Sequence, residues 1–173
     1  MYAPLTTLSS YSLLQSTIKI PQYIAQTKEM GYQTIGLTDR NVMYGAVDFF
    51  RQCQAQQIQP IFGVLFDCNA TAGSMTFPLY LFAKNIQGYQ RLMRLSSKKM
   101  TTDELFIANE STLADLFGVL PTGQGFLLDQ TNDPQKNLTE LKQLLDLFDQ
   151  NSLFYGVENE QSAQAPSFEA FRQ

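Results

Sequence analysis

The sequence predicts an α/β fold with a mostly parallel sheet, on three observations. Short apolar runs of strand character alternate with segments whose apolar residues recur at helical spacing. Apolar residues make up 44% of the 173 and charged residues 16%, a balance that favours collapse of one domain burying roughly 70% of its extended-chain surface. No stretch approaches the roughly 18 consecutive apolar residues of a membrane span.

The elements follow in order. Leu5–Ser9 has short, extended character. A helix is predicted from Pro21, a favoured first-turn residue, to Met30, with Gly31 stopping it. Thr34–Thr38 reads as a buried strand with Ile35 and Leu37 inside. From Met43 the spacing turns helical, and Met43, Ala46, Val47, Phe50 and Cys53 define one apolar face. Ile61–Phe66 is a continuous apolar run, as expected of a strand covered on both faces. Asn69–Ser74 holds turn residues and Leu79–Ala83 supplies the return strand. Asn85 caps a further helix whose face is Tyr89, Leu92, Met93 and Ser96. Beyond it come a helix around Thr112–Phe117, a strand at Phe126–Leu128, a helix over Leu138–Phe148 and a strand at Leu153–Val157. Phe168–Gln173 opens a helical pattern without a stop signal, so the expectation is a chain cut from something longer. Five glutamines between Gln52 and Gln59 read as a neutral surface, since Ile58 and Pro60 interrupt them.

Composition excludes several chemistries. The chain has no histidine, which removes serine-histidine triads, cysteine-histidine dyads and histidine-ligated zinc. Two cysteines, Cys53 and Cys68, are too few for a disulfide scaffold. The net charge is −4. No charged leader precedes a hydrophobic stretch at the N-terminus, so a reduced, cytoplasmic location is the expectation.

Several motifs stand in a fixed order. Ser9-Ser10-Tyr11-Ser12-Leu13-Leu14 is followed by Gly31-Tyr32 and then by the run from Leu37-Thr38-Asp39-Arg40 through Met43-Tyr44-Gly45 to Val47. Ile58-Gln59-Pro60-Ile61-Phe62-Gly63, Leu81-Phe82-Ala83-Lys84-Asn85, Gly88-Tyr89 and Leu92-Met93 come next. In that order and spacing the chain resembles the N-terminal PHP (polymerase and histidinol phosphatase) domain of bacterial DNA polymerase III alpha subunits. The likeness covers about Leu5–Ser96 and thins afterwards.

The resemblance implies a distorted (β/α)7-type barrel, of which residues 1–173 would be the N-terminal part, with the polymerase palm, fingers and thumb outside it. Intact members hold up to three metal ions on His, Asp and Glu. Here the matching positions carry Thr6, Leu8, Asp39, Arg40 and Leu65. One aspartate survives; Thr6 is a weak ligand, Leu8 and Leu65 offer no donor, and Arg40 brings a positive charge. A two- or three-metal hydrolytic centre needs more. The resemblance therefore implies no metal, cofactor or catalytic residue in this segment, and a structural or interaction role inside a DNA-directed DNA polymerase. Magnesium is expected only at palm aspartates of the parent chain. The implied partners are the parent's other domains, replisome subunits such as a docked proofreading exonuclease, and DNA and deoxynucleotides reached through the parent; no membrane is implied. The competing classes are a metal-dependent PHP phosphoesterase or 3′–5′ exonuclease, and a nucleic-acid-binding module.

For Arg40 two readings stand side by side. Its guanidinium sits near Asp39 and holds the pocket in place of a metal, or it points into solvent while Asp39 or Asn41 caps the helix near Met43. Lys84, Arg91, Arg94, Lys98 and Lys99 form a +5 window, and Arg91, Arg94 and Lys98 share a helical face. That stripe could track phosphates, but a solvated face with cations at a helix C-terminus is the favoured account, and an acidic neighbouring domain is the intermediate one. Cys53 and Cys68 read as core. Gly123 and Gly125 precede a strand, which makes them a turn and not a phosphate loop. Tyr11 and Tyr44 either hydrogen-bond across the old metal pocket or merely pack.

Overall fold

The computed structural model describes residues 2–69, 76–121 and 134–156. Helix α1 (Ile20–Glu29) forms where proline supplies the first turn, and it buries Ile20, Tyr23, Ile24 and Thr27 at helical spacing. Met30 closes it, and Gly31 takes a φ of 81° that a side chain would resist. Strand β1 (Thr34–Leu37), helix α2 (Ala46–Gln56) and strand β2 (Gln59–Asn69) make a β-α-β unit with β1 and β2 parallel. Strand β3 (Thr76–Ala83) returns antiparallel to β2, from Gly63 opposite Phe82 to Asn69 opposite Thr76. Helix α3 (Ile86–Thr102) starts on the predicted cap: the Asn85 side chain accepts a 2.9 Å bond from the Gly88 N–H. After a 3₁₀ turn at Ile107–Asn109, strand β4 (Leu116–Leu120) runs antiparallel to β3. Helix α4 (Pro134–Asp146) then leads to β5 (Leu153–Tyr155), parallel to β4.

The strand order is β1-β2-β3-β4-β5. The alternation of helix and strand is as expected, but the sheet is mixed and not mostly parallel: the β2–β3 and β3–β4 pairs are antiparallel. Only six residues separate β2 from β3, whereas a parallel crossover needs a dozen or more. The five described strands form an open row, without barrel closure. Along β2, Val64, Phe66 and Cys68 join the larger core with Leu79 and Leu81 of β3 and Leu92 and Leu95 of α3. The alternate residues Leu65 and Asp67 point to the opposite face. A second core joins α1, β1 and α2 through Ile24, Ile35, Phe49 and Cys53.

Three expectations are corrected. The α2 stripe is rotated: the helix begins at Ala46 and buries Ala46, Phe49 and Cys53, leaving Val47 and Phe50 exposed. On α3, Leu92 and Ser96 are buried as expected and Met93 is not; Leu95 and Lys99 take its place inward. The helix placed at Thr112–Phe117 is irregular chain running into β4. There Leu116, Gly118 and Leu120 point inward with Phe117 exposed between them, so a two-residue alternation won over a three-to-four spacing that also contains Leu113. Leu5–Ser9 is extended but forms no strand; Pro4 and Thr7 carbonyls accept bonds from Gly36 and Thr38 at the β1 edge. Glycine at position 36 is needed for that approach, since a Cβ would collide with the Leu5 backbone. Most of the Asn69–Ser74 turn, Gly123, Gly125, Phe126–Leu128, Val157 and Phe168–Gln173 lie outside the described residues.

The rotation of α2 is measurable. Phe49 is 0% exposed and Phe50 47%, so Phe49→Ala should cost about 3–5 kcal/mol and Phe50→Ala less than half of that. Urea unfolding of the two variants reads the difference, and equal losses would contradict the observed rotation.

Candidate functional site

The candidate site forms where the chain leaves β1 and runs beside β2. Backbone pairing continues past β1: the Leu65 N–H donates to the Asp39 carbonyl and the Asn41 N–H to the Leu65 carbonyl. That bridge sets Arg40 beside Leu65. Asn41 takes a φ of 63°, a left-handed conformation asparagine tolerates, and so turns the chain out of the ladder.

Asp39 is 2% exposed. Its Oδ1 accepts bonds from the Ser9 N–H at 2.7 Å and the Ser12 hydroxyl at 2.7 Å. The Ser9 hydroxyl lies 2.8 Å from Oδ2 and 3.0 Å from Oδ1. Ser12 in turn accepts from the Arg40 N–H at 3.0 Å. The carboxylate thus pins the Ser9–Ser12 turn to the end of β1 through neutral donors.

The Arg40 side chain goes elsewhere. Its Nε donates to Asp67 Oδ2 at 2.9 Å and its Nη2 to Asp67 Oδ1 at 2.7 Å. This fork-on-carboxylate geometry is the strongest kind of side-chain ion pair. Nη1 also reaches Gln15 at 3.4 Å. Asn41 completes the group: its Nδ2 donates to Asp67 Oδ2 at 2.8 Å, and its Oδ1 accepts from the Asp67 N–H at 2.9 Å. Burial alone would raise the Asp67 carboxyl; the Arg40 and Asn41 hydrogen bonds and the charges of Arg40 and Lys99 outweigh it and hold it below the usual carboxylate range. Asp67 in turn raises Arg40 further above its ordinary value. Neither reading offered for Arg40 is what the structure holds: the guanidinium is neither on Asp39 nor free, but on Asp67.

The other singled-out residues fall as follows. Leu65 is buried, Leu8 is partly buried with its carbonyl accepting from Ser16, and Thr6 is exposed. Neighbouring Thr7 donates to the Tyr23 hydroxyl, which donates to the Gly36 carbonyl. Of the basic stripe, Arg91 pairs with Asp115 at 3.0 Å and Lys98 with Glu110 at 2.7 Å, while Arg94 is exposed. Lys84 is drawn inward to the Ala114 carbonyl and the Ser152 hydroxyl, above the Phe117 ring. Cys53 and Cys68 are buried, and burial pushes the Cys53 thiol up to about 12. Tyr11 and Tyr44 are exposed. Sequence reasoning missed Asp67, Asn41, Ser9 and Ser12 as members of the site. The available signal was that Asp67 sits two residues beyond Leu65 on one strand, hence on the same face.

Comparison with known proteins gives the family. The model of the PHP domain matches residues 5–158. The chain belongs to the PHP domain family. It is 38% identical over 90 residues to the DNA polymerase III subunit alpha of Bacillus subtilis, covering 51% of this chain and 8% of that one. It is 36% identical over 101 residues to the subunit of that name from Streptococcus pyogenes, covering 58% and 10%. The chain therefore spans about a tenth of the length of these relatives. A solved structure of a candidate metal-dependent phosphoesterase of Bifidobacterium adolescentis overlays with a TM-score of 0.42 and 8% identity, over 57% of this chain and 32% of the other; so distant a likeness carries no argument about activity.

Among the described residues the donor chemistry does not fit a multi-metal centre: no three His, Cys, Asp or Glu side chains lie close enough to share an ion. Asp39 is engaged by serines, and the second carboxylate, Asp67, is engaged by Arg40 and Asn41. A cation there would have to displace a guanidinium.

The lowered Asp67 carboxyl fixes the sign of a pH effect. Its contribution to stability is full above the unfolded carboxylate value of about 3.9 and is lost as pH falls through the still lower folded value. Between about pH 5 and 2, the unfolding free energy of the wild type should fall more steeply than that of Asp67→Asn. Urea melts across that range check it, and parallel pH profiles would contradict it.

Proposed function

We propose that this chain is a non-catalytic PHP domain serving a bacterial replicative DNA polymerase, a structural and interaction module and not a hydrolase. The observation that carries this reading is the Arg40–Asp67 pair. A guanidinium forked onto the nearest spare carboxylate supplies internally the positive charge that a family member with intact ligands takes from metal ions. At the vestigial positions Thr6, Leu8, Asp39, Arg40 and Leu65, one carboxylate remains, and its lone pairs are directed at serines. What such a site can do is tie the Ser9–Ser12 turn, the end of β1 and the middle of β2 together without an ion.

Template-directed deoxynucleotide addition would belong to the parent chain, with magnesium on aspartates outside this segment and a cytoplasmic location. No helix among the described residues is long and apolar enough to cross a membrane. The domain's partners would be the other parts of the parent polymerase and its replisome subunits.

Manganese and zinc titrations followed by calorimetry test the reading. The wild type should bind neither ion stoichiometrically and should leave p-nitrophenyl phosphate esters intact. A variant carrying Thr6→His, Leu8→His, Arg40→His and Leu65→Glu should gain affinity of about tenfold or more. Stoichiometric binding or EDTA-sensitive ester cleavage by the wild type would overturn the non-catalytic reading.

A further inference from the structure

We draw no further inference here: the strongest candidate, the exposed aromatic face at the β4–β5 end of the sheet, where Phe117 and Phe154 stand 6.1 Å apart between ring centroids with the Lys84 ammonium over the Phe117 ring, carries nothing, because nothing in the structure shows what covers it.

Discussion

Two carboxylates, one buried and one half-buried, have to be satisfied where β1 and β2 run side by side, and the rest of this corner of the fold follows from how that is done. An ionised group taken out of water costs several kcal/mol unless donors or an opposite charge replace its hydration. Asp39 finds its donors in Ser9 and Ser12, so the N-terminal turn is drawn over the sheet end. Asp67 finds its charge in Arg40 and its remaining bonds in Asn41. Ser12 links the two halves, donating to Asp39 while accepting from the Arg40 backbone. Removing a partner on either side leaves a carboxylate under-solvated, which makes the arrangement cooperative.

On the reading proposed above, that arrangement would let a PHP domain keep its strand ends joined without a bound ion. A divalent ion at strand ends does two things: it activates water and it cross-links side chains from separate elements. A guanidinium can do only the second. Its charge is permanent and its donors are planar and directional, so it holds a carboxylate in register without offering an open coordination position.

Much of this was legible in the sequence, and the exceptions have physical causes. Helix α1, the cap at Asn85 and the β2–β3 reversal were readable because proline, asparagine and turn residues act locally. The family was readable because several motifs lie in order. The rotation of α2 was not, because Val47 and Phe50 are as apolar as Phe49, and Phe49 goes inside through packing with Ile24 and Ile35 of other elements. The partner of Arg40 was missed for a related reason. Asp39 is adjacent in sequence, whereas Asp67 is 27 residues away and becomes a neighbour only through the Arg40–Leu65 bridge. Long-range register, not residue type, chose between the two aspartates.

The most direct measurement of the central claim is a double-mutant cycle on Arg40→Ala and Asp67→Ala, read by urea unfolding at neutral pH. If the guanidinium cross-links the strand ends, the two changes will be coupled by about 1–2 kcal/mol, above the 0–1 of an ordinary exposed ion pair. Additive losses, within about 0.3 kcal/mol, would mean that the pair contributes nothing as a unit and that some other feature holds the first two strands in place.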